Sequence, residues 1–235
     1  MLNIVYQHIL EIIPFYIFFE IIYYFFKIFL DFNAILDFNG IYFLLHFIVN
    51  LINTILLSPL IINLFIDPFF HNYEIDNWNN LTYIYPMLIG LHTFHLVHNV
   101  LSLKYDEIIH HVLTHIFWYG IYINNSVLYI APIIGMSGIT GGITYLMLFL
   151  HKINKIDRLT EKKISMYLNI WLRAPLCIIF ATMMYFDNLE NDNSYYLTLF
   201  MILFTIINGI HFMHNIIESY YENYYGNYYK INKIN

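Results

Sequence analysis

The stretch IYFLLHFIVNLINTILLSPLIINLFI, residues 41–66, contains no Asp, Glu, Lys or Arg. A helix needs about 20 apolar residues to cross the ~30 Å hydrocarbon core of a bilayer. This stretch is longer than that, so it predicts a transmembrane helix. The same length criterion can be applied to the rest of the chain.

The composition of the whole chain agrees with a protein that lies mostly in lipid. Hydrophobic residues make up 60% of the 235 positions and charged residues only 11%, whereas charged residues alone make up about 25% of a typical soluble domain. The mean hydropathy of +0.59 leaves no room for a large polar domain. A water-soluble protein is therefore excluded. The net charge of -6, with basic residues clustered in a single loop, argues against nucleic-acid binding.

Seven stretches of the chain are long and apolar enough to be predicted as spans, which indicates an all-α polytopic bundle. They are residues 12–30, 41–66, 81–103, 108–123, 127–150, 164–186 and 195–217. The domain organisation that follows is an N-terminal helix within residues 1–39, a six-helix membrane domain at 40–217 and a Tyr-rich tail at 218–235.

The basic residues support this count because Lys and Arg of short loops stay on the cytoplasmic side. With seven spans, eight basic residues share one side of the membrane and none lies on the other. The eight are Lys104, Lys152, Lys155, Arg158, Lys162, Lys163, Lys230 and Lys233. We therefore predict a luminal N-terminus and a cytosolic C-terminus.

Polar residues inside the predicted spans recur at spacings that place them on one helix face. The sets are His46/Asn50/Asn53, Asn208/His211/His214/Glu218, Asn169/Arg173 and Glu20/Lys27. Ionisable groups at membrane depth normally face a bundle interior or a watery cavity. The pattern predicts helices arranged around a polar cavity. The alternative for any single Asn or His is a structural hydrogen bond to a neighbouring helix.

The densest polar chemistry lies in GLHTFHLVHNVLSLKYDEIIHHVLTH, residues 90–115. Two predicted spans meet here at a short charged turn, and six histidines flank it. They are His92, His95, His98, His110, His111 and His115. Histidine can exchange protons near neutral pH or bind a metal, so this stretch is the candidate active region. The alternative is a set of core histidines, most of all for His92.

The segment KYDEIIHHVLTH resembles the TLC domain family, which includes ceramide synthases and translocating-chain-associated membrane proteins. Members have a turn with Lys and acidic residues before a His-His pair, here Lys104, Asp106, Glu107, His110 and His111. The segment NIWLRAP at 169–175 is similar to a later helix of the family. The resemblance covers roughly residues 40–217 and implies a seven-span protein of an endoplasmic-reticulum-like membrane.

This resemblance implies a protein that acts on or regulates membrane lipids, with an acyl-CoA-dependent sphingolipid acyltransferase as the enzyme form. Acyl-CoA is then a co-substrate, and no bound cofactor is required. His110 or His111 serves as base or nucleophile, oriented by Asp106 or by a neighbouring histidine, His95 or His98. The predicted substrate-binding residues are Asn169, Arg173, His211 and His214. The stretch HLVHN departs from the HDxxD element of ceramide synthases, so the motif for acyl transfer is incomplete.

Two other classes of function stay open. The first is a membrane metalloenzyme, either a di-iron lipid hydroxylase or a zinc-dependent ceramidase-like hydrolase, because imidazole suits both metals. Its ligands would come from His92, His95, His111, His115, His211 and His214, although the HxxHH boxes of membrane hydroxylases do not occur. The second is a non-enzymatic protein that sets bilayer composition or accompanies a translocon. In every case the bilayer is a partner, a lipid is the candidate substrate, and the oligomeric state is left open.

Overall fold

The computed structural model describes residues 2–31, 38–66, 83–99, 105–124, 127–190 and 195–232, and all regular structure within these ranges is helical. The helices are α1 (Leu2–Asp31), α2 (Phe38–Ile66), α3 (Ile84–Asn99), α4 (Tyr105–Asn124), α5 (Ile139–Lys152), α6 (Arg158–Leu168), α7 (Ala174–Glu190) and α8 (Tyr195–Asn232). Two π-helical turns, Ile134–Gly138 and Asn169–Arg173, lead directly into α5 and α7. The all-α class predicted from the sequence is confirmed for the described residues.

Five helical segments of the described chain are long and apolar enough to cross a membrane. They are Ile9–Phe29, Asn39–Ile66, Ile134–Lys152, Arg158–Leu189 and Tyr195–Gly226. Each overlaps one of the predicted spans, namely the first, second, fifth, sixth and seventh. The segment that overlaps the sixth predicted span, Arg158–Leu189, joins α6, a π turn and α7 into one continuous helix. These segments fit an integral membrane protein.

The third and fourth predicted spans correspond to α3 and α4, which are not among the five. Helix α3 has 16 residues, about 24 Å at 1.5 Å per residue, and is therefore shorter than the hydrocarbon core. Helix α4 has 20 residues, but its histidines and the acidic pair at its start lower its hydropathy. The seven-span count and the sidedness of the termini thus stay predictions.

Large apolar side chains are exposed on the outside of the bundle, and polar groups are buried among the apolar side chains of its core. Asn50, Asn53 and Ser165 are fully buried, while Ile21 is 63% exposed and Ile28 is 66% exposed on α1. Helix α3 lies in the interior, packed along α1, with Leu91 and Phe94 fully buried. An apolar exterior with the polar groups buried inside is the arrangement that lipid favours, because polar groups facing hydrocarbon are costly.

Helix α6 begins at a defined cap, which fixes the position of the residues behind it. The Asp157 carboxylate accepts hydrogen bonds from the Thr160 backbone N–H at 2.9 Å and the Thr160 hydroxyl at 2.6 Å. Both bonds hold the pKa of Asp157 below its usual value, and the bond from the hydroxyl has the larger effect.

At the other end of the chain, α8 continues without a break past residue 217, so the Tyr-rich segment extends this helix to Asn232.

Small residues set the spacing of α7 and α8. A Cβ atom at Gly209 would lie 2.8 Å from Cys177 Cβ, 3.2 Å from Cys177 Sγ and 3.4 Å from Ala174 Cα. Close approach at small residues is a common way for membrane helices to associate. Gly226, on the same helix, has no atom within 4 Å of the equivalent position.

We therefore expect Gly209→Ala to lower the melting temperature and Gly226→Ala to raise it slightly. Overpacking costs about 1–3 kcal/mol, more than the roughly 1 kcal/mol that alanine gains over glycine in helix propensity. At Gly226 no atom of the described residues is close enough to be overpacked, so only the gain in helix propensity applies. Thermal unfolding of the purified protein in detergent measures both, and equal rises for the two variants would contradict the close packing at Gly209.

Candidate functional site

Three histidines of α3 and α4 form one hydrogen-bonded chain. His92 Nδ1 lies 2.9 Å from His111 Nδ1, and His95 Nδ1 lies 3.0 Å from His111 Nε2. His111 is only 4% exposed and lies between the other two rings. The spacing of three residues places His92 and His95 on neighbouring parts of the α3 surface, so both reach the same partner on α4.

The tautomers of this chain are linked. A neutral imidazole has one N–H donor and one acceptor nitrogen, and His111 uses both ring nitrogens. If His111 Nδ1 donates to His92, then His111 Nε2 must accept from His95, and the reverse order is equally consistent. Switching from one order to the other moves a proton along the chain of three rings, which is the property of a proton relay.

A further histidine of α4, His115, supports the chain from outside. His115 Nδ1 donates to the His111 carbonyl at 2.7 Å, because a carbonyl can only accept. In the neutral ring Nε2 is then the acceptor, and it receives the Thr93 hydroxyl at 3.3 Å. The Thr93 bond ties α4 to α3 beside His111, and the two bonds together fix the His115 tautomer.

A cavity of about 350 Å³ lies within the bundle next to this chain. Its polar lining consists of His46, Asn50, His92, His110, Thr114, Ser137, Thr144, Tyr145, Lys162, Asn169, Arg173, Asn208, Asn215 and Ser219. Its apolar lining consists of Leu88, Phe117, Trp118, Met136, Leu148, Phe204, Phe212 and Ile216, with Gly141 between them. The volume is within the range of small-molecule sites, about 300–1,000 Å³. Such a lining suits a molecule that has both a polar and an apolar part.

Aromatic rings connect the cavity wall to the histidine chain. The His46 ring stacks on Tyr145 with centroids 4.3 Å apart, and Tyr42 stacks on His95 at 4.0 Å. Tyr42 also meets His46 edge to face at 4.2 Å. The rings hold His46 and His95 in fixed orientations, so the imidazoles are positioned before any ligand binds.

Several buried polar atoms of the cavity wall have no hydrogen-bond partner among the described residues. They are His46 Nε2, Asn50 Nδ2 and Oδ1, Trp118 Nε1, Thr144 Oγ1, Arg173 Nε and Asn208 Oδ1. Buried polar groups are normally hydrogen-bonded. The residues of the cavity wall therefore have hydrogen-bonding groups that the described residues leave unpaired.

The structure brings only some of the predicted site residues together. His110, Asn169 and Arg173 line the cavity, and His95 and His111 lie behind it in the histidine chain. His98 Nε2 instead lies 3.0 Å from both carboxylate oxygens of Glu20 on α1. His211 and His214 are exposed on α8. The side chain of Asp106 lies outside the described residues.

Sequence reasoning also missed residues of the site. Tyr145 lines the cavity without having been singled out, and Trp118 contributes a buried indole N–H. Lys162 had been predicted only as a loop cation on the cytoplasmic side, but it lies on α6 and lines the cavity. His46 and Asn208 had been placed on polar helix faces but not in the site. The helix turns His211 and His214 outward, and the residues of α8 that line the cavity are Phe204, Asn208, Phe212, Asn215, Ile216 and Ser219.

The metal-binding alternative has no cluster to support it in the part of the chain that the structure describes. Within those residues, no three His, Cys, Asp or Glu side chains are grouped so that they could hold a metal ion. His111 directs its two ring nitrogens to two different histidines, whereas a shared metal needs one nitrogen from each ring at a common centre.

No protein-family model, no curated protein and no solved structure matches this chain.

Proposed function

We propose that this chain is an integral membrane protein that acts on a lipid by histidine acid–base chemistry in the cavity. One observation carries this proposal. His92 and His110 enter an amphipathic cavity within a bundle whose exterior is apolar. A lipid combines the polar and apolar parts that such a cavity accepts, and histidine is the side chain most often used for proton transfer near neutral pH.

His92 and His110 differ in their surroundings. The His110 ring lies 6.2 Å from that of His92 and meets Phe212 edge to face at 5.4 Å. We assign His110 as the base that faces the substrate. His92 connects the cavity to the hydrogen-bonded chain and can pass a proton to His111.

The resemblance to the TLC domain family suggests acyl transfer as the reaction. The lipid's amine or hydroxyl would attack the thioester carbonyl of acyl-CoA, and His110 would take the proton that the nucleophile loses. The C–S bond then breaks, and the proton passes to the leaving thiolate, which gives the acylated lipid and free CoA. Seven spans and an endoplasmic-reticulum-like membrane belong to the same proposal.

The test is untargeted lipid mass spectrometry of cells that express the wild-type chain or a variant at equal protein level. We expect the wild-type chain to change the lipid profile and His110→Ala to reduce that change by a factor on the order of 10²–10⁴. His151→Ala is the control, because His151 lies on α5 without lining the cavity. The hydrogen bond described for its side chain is the one from Nδ1 to the Ile156 carbonyl at 3.3 Å.

Two results would count against this proposal. A His92→Ala/His110→Ala double variant with the lipid profile of the wild-type chain would show that neither histidine is catalytic and would favour a non-enzymatic role. One equivalent of tightly bound iron or zinc in the purified protein would favour a metalloenzyme instead.

A further inference from the structure

Arg173 is a buried cation whose described partners are all neutral. It is 9% exposed and lies in the π turn that precedes α7. Its Nη1 donates to Asn169 Oδ1 at 3.3 Å, and its Nη2 donates to the Met136 carbonyl. The guanidinium carbon lies 4.1 Å from the centroid of the Phe212 ring. These contacts hold the group in place without neutralising its charge.

The other buried cation of the cavity wall already has a counter-charge. Lys162 Nζ lies 3.7 Å from Glu161 Oε2, and Arg158 Nη1 lies 3.2 Å from the same oxygen. Among the described residues no carboxylate forms such a pair with Arg173. The cavity therefore carries one buried positive charge that no described acidic group balances.

A charge in this position is costly unless something compensates it. The effective penalty for burying an ion in a protein is several kcal/mol, and ionisable groups at membrane depth usually mark a functional site. Arg173 lines the cavity, and its buried Nε has no hydrogen-bond partner among the described residues. A guanidinium with a free N–H is suited to bind phosphate or carboxylate oxygens.

We infer that Arg173 binds the anionic head of a lipid, a phosphate or a carboxylate, whose acyl chain lies along the apolar wall of the same cavity. The apolar wall includes Leu88, Phe117 and Phe204, and the Asn50 amide offers a further donor. The inference rests on the proposed function, since it names the substrate class of that site.

The experiment measures binding to the purified wild-type chain in detergent with probes that share one acyl chain. The probes are oleoyl lysophosphatidic acid for a lipid phosphate, oleic acid for a carboxylate and mono-oleoylglycerol for a neutral head, with inorganic phosphate for the head alone. We expect at least one anionic lipid to bind about 10- to 100-fold more tightly than mono-oleoylglycerol, which is the range of a charge-assisted hydrogen bond. Which one does so identifies the head group, and tight binding of inorganic phosphate alone would replace the lipid by a free anion.

Arg173→Gln should remove the preference for the anionic lipid, whereas Lys27→Gln should retain it. Lys27 is also a cation within an apolar helix, but it lies over the Tyr23 ring of α1 rather than in the cavity wall. If Arg173→Gln does not fold, Arg173→Lys serves in its place and should keep part of the preference. The comparison of the three lipids on the wild-type chain tests the inference without any variant. Equal affinity of the wild-type chain for all three lipids overturns the inference.

This outcome is distinct from a failure of the proposed function. Anionic lipid that binds to a chain whose cavity histidines prove inessential would leave the binding site standing and remove the catalytic role. A lipid change that depends on the histidines, without any preference for an anionic head, would keep the catalytic role and remove the anion-binding site.

Discussion

Replacing Glu161 by glutamine should lower the free energy of unfolding by about 3–5 kcal/mol, the usual effect of removing one partner from a buried ion pair. Glu161 is fully buried near the start of α6. Its Oε2 faces Lys162 and Arg158, and its Oε1 accepts the Ser165 hydroxyl at 3.3 Å. The glutamine leaves Lys162, which is 8% exposed, without a carboxylate.

Two further variants make this prediction specific. Glu222→Gln removes the charge of an exposed glutamate on α8 and should change stability by no more than about 0.5 kcal/mol. Glu161→Gln combined with Lys162→Met should recover most of the loss, because a buried pair can be replaced by apolar groups at little cost. Arg158, with a side chain 44% exposed, can turn into solvent. Denaturation in detergent measures all three, and a double variant as unstable as the single one would show that packing, not charge, is the cause.

The helices and part of the polar interior were predictable because both depend on local pattern. A span requires about 20 apolar residues, and five of the seven predicted stretches overlap long apolar helices of the structure. His46, Asn50 and Asn53 were predicted to share a face of the second span, and all three are buried. That prediction is confirmed, since spacings of four and three residues fix one face of a helix whatever surrounds it.

The contacts between distant helices were not predictable from such patterns. Glu20 had been placed with Lys27 on one face of α1, but its carboxylate pairs with His98, 78 positions away in the chain. Only the packing of α1 along α3 brings those groups together. The doubled histidine is a similar case: His110 faces the cavity, whereas His111 turns toward His92 and His95. Adjacent residues on a helix point about 100° apart. The sequence alone does not show which of the two histidines faces the interior cavity.

The different positions of His110 and His111 lead to the prediction with the largest effect on function. If His111 relays protons between His92 and His95, His111→Ala should reduce the lipid change by a factor on the order of 10²–10⁴, as the loss of a general acid–base group does. A structural role for His111 would also impair the protein when the side chain is removed, so this variant alone does not separate the two roles.

Asparagine and glutamine at position 111 separate them. The asparagine amide reaches roughly where His111 Nδ1 lies and can keep the bond to His92, whereas glutamine reaches toward the Nε2 position and can keep the bond to His95. Neither amide can exchange its donor for its acceptor as a neutral imidazole does, so neither can relay a proton. We expect both variants to recover the melting temperature lost in His111→Ala but not the lipid change. Recovery of the lipid change by asparagine would show that His111 only orients His92, since the bond to His92 would then suffice without a route to His95.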